Sequence, residues 1–200
     1  IRAAEEELKR SEDTIYFDLK KRLIGDLAAE QISFVNSDRA ISIIKGNIEY
    51  AEEIIGRNPE LKQAADEFIK REEFDRVIAL RQKEDMNTII VEYERMLQAK
   101  IDVPLWVVEG AGDAYLYLRK PEKALEIYEK VHDEYKKQGK DKYPENYNIL
   151  MAIYAVMIEL ERQSDAMAII KGLEKDVPDF ARPNGIFVEN WHKFRVINEK

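Results

Sequence analysis

Few residues in this chain could do chemistry, and they are spread thinly. The two histidines, His132 and His192, stand far apart in sequence. Neither has a second His, Asp or Glu at a fixed helical spacing that stands out, so no metal centre is expected. There is no cysteine, which excludes disulfides, thiol catalysis and Cys-ligated zinc and leaves the compartment open. Asp and Glu together number 40. With so many carboxylates a pair suited to acid–base work means nothing by itself, and most sit beside a Lys or Arg on a helix face, as in Glu122–Lys123 and Glu129–Lys130. The nearest thing to a phosphate loop, Gly110-Ala111-Gly112, falls inside a helical pattern with no strand before it, and packing accounts for it better. No catalytic residue, metal or cofactor is assigned, and the chain is not expected to be an enzyme.

One constellation has binding chemistry. Trp106, Glu109, Asp113 and Tyr117 are spaced three, four and four residues apart, which puts all four on one face of a helix. Two aromatics and two carboxylates on an exposed face could stack on sugar rings and attract amines. The plainer alternative is that Trp106 packs on a preceding helix pair and the carboxylates are only solvated.

The elements that must carry this face are helices. The chain has 200 residues, 45% apolar and 36% charged, with only 8 Gly and 6 Pro. That balance suits a folded protein with long elements and few turns. The net charge of −8 argues against nucleic acid, whose phosphates need clustered Lys and Arg, and leaves a cationic ligand or basic partner open. The longest uncharged run, Asn146 to Ile158, has 13 residues. A membrane-crossing helix needs about 20, so this run reads as a buried core helix.

Helical periodicity and breakers predict helices at roughly Ser11–Val35, Asp38–Ile55, from Asn58-Pro59-Glu60 to about Gln82, then Asp85–Ala99, Val103–Leu118, Pro121–Gln138, Pro144–Glu161 and Ser164–Asp176, with a short last one over Glu189–Asn198. Asn58 caps and Pro59 occupies the first helical position. Within this series lies a repeat. Gly112, Tyr115, Ala124 and Tyr128 have the spacing of a tetratricopeptide hairpin, in which small residues let two helices approach and aromatics fill the space beside them. Ala166, Ile170, Leu173 and Pro178 fall at the second-helix offsets of the next unit, although Tyr154 stands where Gly is wanted. Going back, Tyr93 matches Tyr128 and Ile89 stands where Ala is wanted. In this class the face of Trp106, Glu109, Asp113 and Tyr117 lines the concave groove.

The expected fold is therefore all-α, antiparallel helix pairs stacked as a tetratricopeptide-like right-handed solenoid. It is read as one domain over 1–200, with N-terminal helices at 1–57, repeats at 58–178 and a C-terminal loop and short helix at 179–200. Ile1 at the start, with no signal peptide, suggests a piece of a larger protein.

From about Asp75 onward the residues resemble a known family. Asp75-Arg76-Val77-Ile78-Ala79-Leu80, Val103-Pro104-Leu105-Trp106, Gly112-Asp113-Ala114-Tyr115-Leu116-Tyr117-Leu118 with Pro121-Glu122-Lys123-Ala124, Glu159-Leu160-Glu161-Arg162, and Arg182-Pro183-Asn184 followed by Trp191 are similar to the periplasmic region of the outer-membrane exporters of poly-β-1,6-N-acetylglucosamine (the PgaA type). The first 70 residues fit only loosely. The resemblance implies a periplasmic portion of a Gram-negative outer-membrane protein, a non-catalytic scaffold with no membrane insertion of its own. It implies two partners: a periplasmic polysaccharide deacetylase, and the cationic, partly deacetylated biofilm polysaccharide on its way to an outer-membrane porin. The rival expectation is a generic tetratricopeptide domain that docks proteins or peptides.

Overall fold

A computed structural model describes residues 2–176. The expected C-terminal helix, the 179–200 segment, Pro178 and His192 lie outside the described residues. Among the described residues there is no strand, and eight α-helices succeed one another. They are α1 (Arg2–Ser33), α2 (Ser37–Arg57), α3 (Lys62–Gln82), α4 (Met86–Gln98), α5 (Leu105–Tyr117), α6 (Pro121–Lys137), α7 (Pro144–Glu159) and α8 (Gln163–Asp176), with a 3-10 turn at Pro59–Leu61. Most boundaries agree with the periodicity. The exceptions have local causes. The first helix starts at Arg2 rather than near Ser11, because Arg2–Arg10 is rich in strong helix formers. Pro104 is extended and delays α5 to Leu105. The Asn58 side chain accepts from Glu60 N–H, but the helix it opens begins as the 3-10 turn.

Contacts divide the chain into two compact units, Ile1–Arg95 and Met96–Lys200, with the boundary inside α4. In the first, α1, α2 and α3 pack on one another; in the second, α5 packs on α6, α6 on α7 and α7 on α8. No described helix is long and apolar enough to cross a membrane. Most of the uncharged run in α7 is buried, with Tyr147, Ile149, Ile153, Tyr154 and Val156 inside, while Asn148 is exposed.

The helices are joined by a recurring turn. Residues 34–36, 83–85, 118–120 and 160–162 form the same three-residue connection, whose middle residue is left-handed: Val35, Glu84, Arg119 and Glu161 have φ of 56°, 60°, 56° and 58°. At each, two backbone bonds close the preceding helix. At the third, Arg119 N–H donates to the Leu116 carbonyl and Lys120 N–H to the Tyr115 carbonyl. The third turn residue then begins the next helix, its carbonyl accepting from Ala40, Ile89, Ala124 or Ala166. All four acceptors' partners are fully buried. Nine residues after each left-handed residue comes a large buried one, Ile44, Tyr93, Tyr128 or Ile170, and seven before it stands Ala28, Val77, Gly112 or Tyr154, again buried. The α1–α2 pair therefore shares these offsets with the three later pairs.

One position breaks it. Twelve residues before the left-handed residue, Val107 and Ile149 are fully buried, as an apolar core position should be. In α3 the same position is Glu72, also 0% exposed. Its Oε2 accepts from Asn47 Nδ2 of α2 at 2.7 Å, and the same Nδ2 donates to the Ile24 carbonyl of α1 at 3.1 Å. Oε1 has no hydrogen bond and faces the Arg71 guanidinium at 3.8 Å. That guanidinium sits where any side chain at Gly25 of α1 would lie. In α1 the same position is Leu23, 71% exposed, in a stripe with Ile15, Tyr16 and Leu19. The remaining core of the first unit is apolar: Phe17 packs edge-on against Phe68 and tilted against Tyr50, over Ala51, Ile54 and Ala65.

Burial holds the Glu72 carboxyl above the usual carboxylate range, and the nearby Asp75 adds to the effect against the opposing pull of Asn47 and Arg71. Asp75 is itself raised by burial. A raised folded-state pKa contributes stability below the unfolded value, about 4.3 for Glu, and loses it as pH climbs through the folded value. Glu72→Gln keeps an acceptor for Asn47 and removes the charge. It should stabilise the protein at pH 7 by on the order of 1–3 kcal/mol, with the gain vanishing near pH 4. Chemical denaturation followed by helical circular dichroism at both pH values measures this; a variant less stable than the parent at pH 7 would show that the ionised carboxylate is satisfied.

Candidate functional site

The face chosen from the sequence lies on α5. That helix begins at Leu105 with Pro104 as its extended N-cap, and its last carbonyls are closed by the left-handed Arg119. The opposite side of α5 is inside the second unit: Val107, Val108, Gly110, Ala111, Gly112, Ala114 and Tyr115 are all buried. Gly112 lets α6 come close. An added Cβ on Gly112 would come within 2.7 Å of the Tyr128 ring, so the glycine's own contact is Tyr128, one turn beyond the Ala124 that the register suggested. Tyr115 is buried with the Lys123 ammonium 5.3 Å over its ring, and Ala124, Tyr128 and Ala166 are buried too.

What remains outward is the predicted set. Trp106 is 41% exposed and Tyr117 58% exposed, while Glu109 and Asp113 between them are half-buried. The two carboxylates are only partly turned outward. Asp113 Oδ1 accepts the Tyr128 hydroxyl at 2.5 Å, so the residue that packs on Gly112 also fixes this carboxylate. Burial raises the Tyr135 phenol of α6, and the negative charges of Glu109 and Glu145 raise it further, which places Glu109 near α6. The structure thus brings the aromatics to solvent and draws both acids toward the neighbouring helix, a division the spacing did not reveal.

Two of the four line a shallow cavity of 570 Å³ together with Leu116 and Arg119. Arg119 was not singled out from the sequence. It is the left-handed turn residue, and its guanidinium pairs with Glu159 of α7 at 3.1 Å. The only signal for it was its place at the turn. The cavity therefore combines an aromatic ring, a carboxylate and a guanidinium, which can receive a polar ligand through stacking and two charges of opposite sign.

His132 holds α6 to α7. Its Nδ1 lies 2.7 Å from Asn146 Oδ1, and Asn146 Nδ2 donates to the Asp141 carbonyl at 2.6 Å. The Asn146 amide is thereby oriented, so Nδ1 carries the proton and donates. Asn146 is fully buried and ties the polar insert 139–143 to α7. Among the described residues no group of three His, Asp or Glu is arranged to hold a metal ion. Comparisons with known protein families, curated proteins and solved structures return no match to this chain.

Gly112→Ala sets two effects against each other. Helix propensity favours alanine by up to about 1 kcal/mol. The Tyr128 ring, pinned by Asp113, leaves no room for a methyl, and overpacking costs about 1–3 kcal/mol. A net loss of stability is expected in thermal or denaturant melts, larger for Gly112→Leu. A more stable alanine variant would mean the ring can step aside.

Proposed function

We propose that this chain is a non-catalytic tetratricopeptide-like scaffold, its antiparallel helix pairs stacked as a right-handed solenoid, that works in the periplasm in the export of partly deacetylated poly-N-acetylglucosamine. The observation that carries the reading is the α5 face: Trp106 and Tyr117 exposed on either side of Glu109 and Asp113. Aromatic faces stack on the apolar faces of pyranose rings, and carboxylates attract the amines of deacetylated units, which are largely protonated near neutral pH. The resemblance to the polysaccharide exporters points the same way and adds docking of a periplasmic deacetylase. The repeat architecture is supported by the four identical turns and the buried residues at their fixed offsets.

A second reading, docking of a protein or peptide, is favoured by Arg119 in the cavity beside Tyr117. A guanidinium at that mouth suits a carboxylate-bearing ligand better than an amine.

Each exposed charge pair adds only about 0–1 kcal/mol, so a single site should bind glucosamine oligomers weakly, in the millimolar range, and a polymer would be retained through many sites. Titrating deacetylated and fully acetylated oligomers by NMR should show binding of the former, weakening as salt rises and abolished in Trp106→Ala and Tyr117→Ala. Equal binding of the two oligomers, or none by the deacetylated one at millimolar concentration, would remove the sugar reading; binding of a peptide with a free C-terminal carboxylate, lost in Arg119→Ala, would replace it.

A further inference from the structure

A different surface of the second unit has the shape and charge of a docking cleft. The six-residue link between α4 and α5 is longer than the three-residue turns and runs past α6, leaving an open cleft of 780 Å³. Its apolar side is formed by Leu97, Ile101, Val103 and Pro104, with Leu97 43% exposed. Its other side is α6. There Glu126, Glu129 and Asp133 follow one another at spacings of three and four, a row of carboxylates ~10 Å long on one face of the helix. Asp102 adds a fourth charge from the link. Of the other charged lining groups, Glu134 is paired with Lys137 at 3.3 Å, and Lys130 stands alone among the acids in the row. Asp133 is only loosely engaged, 3.9 Å from Lys136. The lining carries Asp102, Glu126, Glu129, Asp133 and Glu134 against Lys130 and Lys137, a net charge of −3.

We propose that this cleft docks a basic amphipathic helix of a partner protein, its apolar stripe against Leu97, Ile101, Val103 and Pro104 and its lysines or arginines along the carboxylates of α6. The match is one of period as well as sign. Acids spaced three and four apart face cations spaced three and four apart when two helices lie side by side, and the apolar link supplies the floor that a solvated acidic face lacks. The cleft shares no residue with the α5 face, so the proposal stands whether or not that face binds sugar.

The test uses a fluorescein-labelled synthetic helix of about four turns with leucine and lysine at helical spacing, and a second in which glutamate replaces lysine. By fluorescence anisotropy the full chain should bind the lysine peptide at least about tenfold more tightly than the glutamate peptide. Combined Glu126→Lys, Glu129→Lys and Asp133→Lys should remove that preference, and Leu97→Ser should weaken binding at least about threefold. The same reversal elsewhere, Glu49→Lys, Glu53→Lys and Asp66→Lys in the first unit, should leave binding unchanged; all these positions are exposed, and helical circular dichroism checks that each variant folds. Equal loss in the two triple variants would mean that bulk acidity alone attracts the peptide and would overturn the proposal. So would equal binding of the two peptides, no binding at about 1 mM, or chemical-shift changes at Leu97 and Ile101 caused by a glucosamine oligomer but not by the peptide.

Discussion

Everything in this chain turns on a left-handed residue at the end of a helix. Val35, Glu84, Arg119 and Glu161 each adopt a backbone conformation that costs a non-glycine residue about 1–2 kcal/mol. The return is that two otherwise orphaned carbonyls of the preceding helix are bonded, and the next helix starts after a single further residue. So short a connection fixes where the second helix begins relative to the end of the first. The residue that enters the first turn of that helix is then forced into the interior: Ala40, Ile89, Ala124 and Ala166 are all fully buried. Three of the four are alanine, a small side chain beside a backbone held that close; the fourth, Ile89, is equally buried.

The same constraint sets which polar groups are left for function. In α5 and α6 the close approach is made by Gly112 against the Tyr128 ring, and the ring's hydroxyl lands on Asp113. A carboxylate that the helical spacing assigns to the exposed face is thereby shared with the core. Trp106 and Tyr117, about two turns and one turn away, escape this and stay exposed. Arg119 is exposed for a related reason: a left-handed turn residue points away from both helices, so its guanidinium reaches across to Glu159 and reaches the cavity beside Tyr117. Packing and ligand chemistry are therefore not separable layers in this pair of helices.

Much of this was legible in the sequence. Long elements with few Gly and Pro were enough for the all-helical class and for most helix boundaries. The turn itself was not legible, because its left-handed residue is valine, glutamate or arginine rather than glycine, and these carry no signal for that conformation. Without the turn as an anchor, the α1–α2 pair could not be aligned, since Ala28 and Ile44 stand where glycine and tyrosine were sought. The inward pull on Asp113 was hidden as well. Spacing places a Cβ on a face, but a hydroxyl on another helix decides where the carboxylate goes. Arg119 and the α6 row were not legible from one helix face, because the two clefts are built by a turn in one case and by a link and a neighbouring helix in the other.

Glu72 shows the limit of reading such a register as packing alone. Its position is apolar in α5 and α7, and its neighbours offer one amide, one main-chain carbonyl already used by that amide, and a guanidinium at the edge. A leucine there would fill the space without desolvating a charge. The carboxylate instead fixes the relation of three helices: Asn47 of α2 bridges Glu72 of α3 to the Ile24 carbonyl of α1, and the absence of a side chain at Gly25 admits Arg71. Apolar contacts between helices tolerate sliding by part of a turn, whereas a shared amide with two bonds does not. The first unit, whose α1 leaves Leu23 and its neighbours open to solvent, has less apolar burial on that helix to hold it in register. A directional polar joint between α1, α2 and α3, beside the apolar cluster around Phe17, supplies what the missing contacts do not.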